Sequence, residues 1–196
     1  MPGSKIEQGN AADGLLCALF ARSLRSHFRA KSAQSKPRLI AALGVTMKPH
    51  LRIVRHPYEE PYHSNLVVSA SNGNLSAGFE YYENARAILE WASVLEKFPR
   101  HSSDVFLHEI GSEIPEGRTA YYFRLRVFNT NSAGGCAIQL RFNNNQSLPD
   151  REIFDFCIRA EPSQINRLGK LLRIFAELRH EVLEWNVTEG ELHEFS

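Results

Sequence analysis

Apolar and polar residues alternate along three consecutive runs in the second half of the chain: TAYYFRLRVF from Thr119, GCAIQLRF from Gly135 and REIFDFCIRA from Arg151. Successive side chains of a strand point to opposite faces. In the first run Tyr121, Phe123, Leu125 and Val127 therefore share one side, and Tyr122, Arg124, Arg126 and Phe128 the other. In the second, Cys136, Ile138, Leu140 and Phe142 oppose Ala137, Gln139 and Arg141; in the third, Phe154, Phe156 and Ile158 oppose Asp155 and Arg159. One apolar face and one wet, largely basic face is what an antiparallel sheet packed on one side requires. The intervening NTNSAGG and NNNQSLPD carry the Gly, Asn and Pro residues of hairpin loops. The pattern predicts a meander whose exposed face gathers Arg124, Arg126, Gln139, Arg141, Asp155 and Arg159.

Upstream, Leu51, Ile53 and Val54 predict a first strand, and the two prolines of HPYEEPYH (residues 56–63) predict a rigid exposed loop. Asn65 to Ala70 and Leu75 to Tyr82 read as two strands joined across Ser71-Asn72-Gly73-Asn74, with Gly78 marking a bulge or a close backbone approach. Asn84 is placed to cap a helix that buries Ile88, Trp91, Ala92, Leu95 and Phe98 before Pro99 ends it. A further strand is predicted over residues 104–110, followed by a loop, GSEIPEG. After the meander, Ser163 is the expected cap of a second helix with its body at residues 164–183 and a stripe of Leu168, Leu171, Leu172, Phe175, Leu178 and Val182. In the acidic tail, Val187, Leu192 and Phe195 suit a last strand or a docking segment. Helices that do not alternate regularly with strands argue against a doubly wound fold. The expected class is α+β, an antiparallel meander with two main helices on its apolar face, in one sheet or two.

At 196 residues with 43% hydrophobic content, the chain suits one domain with a real core plus extra length. Its net charge of +1 is unevenly spread. Residues 1–46 are basic, and the remainder is mildly acidic, which disfavours a polyanion-binding role such as nucleic acid binding. Within the basic part, Leu16, Phe20, Leu24 and Phe28 fall at helical spacing with Arg22, Arg25 and Arg29 off that line. Residues 1–46 thus read either as a dispensable leader or as a docked amphipathic segment, with the α+β domain occupying 47–196. No apolar run reaches the length of a membrane span. Three cysteines, Cys17, Cys136 and Cys157, show neither disulfide nor zinc spacing, as befits reduced thiols in the cytoplasm.

Candidate chemistry is sparse. The chain has no P-loop, no GxGxxG after a strand, no HExxH and no GxSxG. His56, Glu59, Glu60 and His63 carry metal-ligand chemistry but belong to a proline-stiffened loop without a third ligand group at a recognisable spacing, so neither metal nor cofactor is expected. His101, Ser102, Ser103 and Asp104 are adjacent, whereas a triad converges from separate elements. Ser132 lies in a hairpin loop. Pairs such as Glu109 with Glu113 have ordinary surface spacing.

The order of a strand, the hairpin SASNGNLSAGFEYY, a helix ending in Phe98-Pro99, the meander and AEPSQINRLGKLL resembles a loose group of small bacterial proteins. That group includes the WapI-type immunity proteins of polymorphic toxin systems. The resemblance covers about residues 50–183 and brings no catalytic residues; it implies a single-domain binder that neutralises a cognate toxin. Two function classes follow. In the first, a non-enzymatic interaction module meets a protein partner through the arginine face or the acidic tail. In the second, a small-molecule binder or hydrolase has a pocket between sheet and helices, reached by His108 or Cys157.

Overall fold

The alternating runs fold as their period dictates. The structure, a computed structural model, describes residues 47–131 and 133–194. In chain order it has β1 (His50–Glu59), β2 (His63–Ser71), β3 (Ser76–Glu83), α1 (Ala85–Leu95), β4 (Val105–Gly111), a 3-10 turn (Pro115–Gly117), β5 (Tyr122–Asn129), β6 (Cys136–Asn143), β7 (Ile153–Ala160), α2 (Pro162–Phe175), β8 (His180–Asn186) and β9 (Gly190–Glu194). The α+β class holds, with two sheets ordered β3-β2-β1-β8-β9 and β4-β5-β6-β7. Every pairing is antiparallel. No helix among the described residues is long and apolar enough to cross a membrane. The basic segment of residues 1–46, Ser132 and Phe195 lie outside the described residues.

Both sheets and both helices bury their apolar faces in one core, which includes Val127, Ile138 and Ile158 of the meander. Rings from the two sheets meet at Phe79 of β3, whose centroid lies 4.8 Å from Phe123, 5.1 Å from Phe142 and 5.5 Å from Phe154. Helix α1 begins as its sequence requires: the Asn84 side chain accepts from the Ala87 amide at 2.8 Å, satisfying one of the free amides of the first turn. Ile88, Trp91, Ala92 and Leu95 are all buried.

The second helix departs from its expected course at both ends. Its cap is Glu161, which forms a reciprocal capping box with Gln164, in place of Ser163. It stops at Phe175, eight residues before Leu183, and Leu178 takes a left-handed φ of 62° in the turn that follows. Residues 180–186 are strand because β1 has a second edge to fill: Leu51 faces Trp185 and Ile53 faces Leu183 across that pairing, all four buried. The apolar spacing of Leu178 and Val182 continued the helical period by coincidence, and tertiary pairing overrode it. HPYEEPYH is likewise mostly strand, with β1 and β2 running up to a short turn at residues 60–62 and a register irregularity between Pro57 and Glu59. Gly78 is not a bulge; it pairs in regular register with Ser69.

Two contacts fix the helices and the first hairpin. Arg55, fully buried, donates to the carbonyls of His180 (3.0 Å) and Leu178 (2.8 Å) and pairs with Glu60, tying the turn after α2 to the β1-β2 hairpin. Between the helices, Arg173 grips Glu96 through two bonds of 2.6 and 2.7 Å. This bond holds the Glu96 carboxyl below the usual carboxylate range.

The helices touch at Gly169, where an added Cβ would stand 2.4 Å from the Glu96 amide nitrogen. Alanine normally favours a helix over glycine by about 1 kcal/mol. Here the approach of rigid backbone reverses the sign. Gly169→Ala is expected to lower the unfolding free energy by about 1–3 kcal/mol, the cost of overpacking, as read from urea midpoints. Lys170→Ala, on the exposed side of the same turn, should move the midpoint little.

Candidate functional site

Register assembles the outer face of the β4-β5-β6-β7 sheet into four cross-strand rows. They are Gly111-Tyr122-Asn143-Ile153, Glu109-Arg124-Arg141-Asp155, Leu107-Arg126-Gln139-Cys157 and Val105-Phe128-Ala137-Arg159. All six residues expected on this face are on it. Side chains directly opposite across strands are close enough to interact.

They form a bonded network rather than a bare basic surface. Arg141 donates to Glu113 through Nε (3.1 Å) and Nη2 (3.0 Å), and to Asp155 through Nη1 (3.1 Å). Asp155 also accepts from Gln139 Nε2 at 2.7 Å and has Arg124 Nη2 at 3.7 Å. Asn143 donates to the second oxygen of Glu113, and the Tyr122 hydroxyl donates to Glu109. The hydrogen bonds to Glu113, together with those to Asp155, hold the Arg141 guanidinium still further above its ordinary range. Four guanidiniums on this face are thus set against three carboxylates. Arg126 lies over the Phe128 ring at 4.6 Å, a cation–π contact. Neither Arg126 nor Arg159 pairs with a carboxylate among the described residues.

Glu113 comes from the β4–β5 connection, where its spacing from Glu109 carried no signal. That connection turns sharply at Gly111, whose φ of +78° places an ideal Cβ 2.1 Å from the Tyr121 carbonyl oxygen, a position only glycine tolerates. Asn145, from the β6–β7 connection, pins the same loop by donating to the carbonyls of Ser112 (2.9 Å) and Thr119 (3.0 Å). Around the network stand exposed aliphatic side chains on both edge strands: Val105 (53%), Leu107 (52%) and Ile153 (50%).

The residues of the enzymatic alternative lie apart. Cys157 is on this outer face opposite Gln139, away from the helices, and burial, with the Asp155 charge second, pushes its thiol up, against thiolate chemistry. His108 sits on the inner side, with Nε2 2.9 Å from the buried Glu83 carboxylate and its ring 4.5 Å from Trp91. No hydrogen bond among the described residues links that pair to a serine, threonine or cysteine. Asp104 accepts from the Arg100 and His101 amides, so HSSD is a turn. No group of three or more potential metal ligands occurs among the described residues. Two small surface hollows, of about 140 and 100 Å³, lie among the described residues.

No family model matches this chain. No curated protein matches it either. Among solved structures, that of the plant transcriptional regulator PBF-2 is similar, with a TM-score of 0.39 and 9% identity over 72% of this chain and 82% of that one. At that level neither a shared fold nor a shared role follows.

One property of the face is open to titration. Burial first, and the bond to Glu109 second, push the Tyr122 phenol from 10.0 up to about 12. A folded-state value above the unfolded one gives a stabilisation fully present below pH 10 and lost as pH rises through 12. Absorbance titration of tyrosinate is expected to show Tyr122 ionising near pH 12, and Tyr122→Phe to remove that step. An unchanged titration curve in the variant would show that Tyr122 ionises elsewhere.

Proposed function

We propose that the chain is a protein-interaction module that docks a protein partner on the outer face of the β4-β5-β6-β7 sheet. The observation that carries this reading is the ordered, nearly charge-balanced network bounded by exposed Val105, Leu107 and Ile153. Guanidiniums already held by Glu113 and Asp155 lose little rotamer freedom on docking. Arginine, flanked by apolar area, is the residue type enriched at protein interfaces.

The charge balance also favours protein over nucleic acid. A polyanion site needs a row of uncompensated cations, and a single-strand platform needs bare rings. Here three carboxylates interleave with the arginines, and Phe128 lies beneath Arg126. A ligand between sheet and helices is less well supported, since Trp91, Ile138, Ile165, Leu168 and Phe175 fill that space at 4% exposure or less. In the finer form implied by the resemblance, the partner is the catalytic domain of a bacterial toxin, neutralised by being covered.

A photo-crosslinking residue at position 107 or 153, in the cells that make the protein, is expected to trap one discrete protein. The same residue in place of Val67, on the other sheet, is expected to trap none. Arg126→Glu should lower the yield at position 107 about tenfold by placing like charges together with no change in Tm. Equal trapping from position 67, absence of any adduct, or an adduct removed by nuclease would each defeat the reading.

A further inference from the structure

At the Tyr122-Asn143-Ile153 end of the same face lies the larger hollow, about 140 Å³, lined by Arg118, Asn143, Asn145, Gln146, Arg151 and Ile153. Three separate segments build it: the β4–β5 connection, the end of β6 with the connection that follows, and the start of β7. Its walls are cross-braced. Besides the two bonds from Asn145 to Ser112 and Thr119, the Asn143 side chain accepts from the Asn145 amide at 2.8 Å. Asn144 Oδ1 accepts from the amides of Gln146 (3.1 Å) and Glu152 (3.0 Å), and its Nδ2 donates to the Asp150 carbonyl (2.8 Å). Arg118, next to Thr119, and Arg151, next to Glu152, are therefore held at the two sides by backbone that side chains have fixed.

Neither arginine has a carboxylate partner among the described residues. Arg151 spends only its Nε, on the Gln146 carbonyl at 3.3 Å. Glu113, the acid of the network bonded to Asn143 of the notch wall, is already engaged by Arg141 as well. Two guanidiniums at a concave polar surface focus positive potential into it, and their planar donors match a carboxylate.

Resting on the docking proposed above and deepening it, we infer that this notch takes one carboxylate side chain, aspartate or glutamate, of the protein partner, as the anchor of the interface. Ile153, half-exposed in the notch wall, gives the aliphatic part of such a side chain a surface to lie on. An isolated inorganic anion would leave that surface unused.

The test is an NMR titration of the full chain, labelled at arginine and followed through Nε–Hε resonances. N-acetyl-L-glutamate is expected to shift Arg118 and Arg151 saturably while leaving Arg124 and Arg126 in place; N-acetyl-L-glutamine should have no effect. Arg118→Gln should weaken the response about tenfold, and the Arg118→Gln/Arg151→Gln double variant should abolish it with Tm unchanged, since both side chains are exposed. A uniform drift of all arginines, a non-saturating response, or tighter binding of inorganic phosphate than of the glutamate derivative would overturn the inference, the last assigning the notch to a phosphorylated group. The titration needs no partner. A failed crosslink with a surviving titration would sink the docking face, and with it the notch's role as anchor, while leaving a carboxylate-binding notch; a surviving crosslink with a failed titration would sink only the carboxylate anchor.

Discussion

Everything in this fold depends on the packing of two apolar sheet faces against each other and against two helices, with Phe79 at the join. That ring belongs to the first sheet and touches Phe123, Phe142 and Phe154 of the second. Tilted aromatic contacts at these distances add about 0.5–1.5 kcal/mol each beyond their buried area. The same seam decides which side of each strand faces outward. Because side chains alternate, burying Phe123, Leu125, Ile138, Leu140 and Phe156 commits Arg124, Arg126, Gln139, Arg141 and Asp155 to the open side. The candidate interface is the other half of the core's own pattern.

What the sequence disclosed follows this logic. The meander and the six outward residues were legible, because a period of two leaves only one choice once the apolar side is buried. Helix α1 was legible from Asn84 and its stripe, but it ends at Leu95, short of Pro99, with the buried Phe98 lying beyond the helix. Division into two sheets was not, since nothing local in β1 says that its second neighbour will be β8. The end of α2 was misjudged for a related reason: Leu178 and Val182 fit a helical stripe, and only the free edge of β1 made residues 180–186 a strand.

The site was half-visible in the same sense. Alternation predicted where the guanidiniums point and said nothing of what neutralises them. Glu113 lies 28 residues before Arg141, in an irregular connection that no periodicity describes. Its role depends on a loop held by Gly111 and Asn145, residues whose types announce a turn but not its direction. Guanidiniums that looked uncompensated in one dimension are partly paired in three, Arg124 and Arg141 by Asp155 and Glu113.

The pairing of β1 with β8 has a bearing on how the molecule is made. Arg52 bonds to Glu184 across 132 residues of chain, and the second edge of β1 in the first sheet stays unpaired until β8 has emerged from synthesis. The four-stranded meander closes through neighbouring hairpins and is complete with β7, before β8 is made. Contacts this distant in sequence form late, because closing the intervening loop costs entropy before any bond repays it. Until β8 pairs with it, β1 presents a row of unpaired backbone N–H and C=O groups along that edge, the kind of edge that templates pairing with other chains.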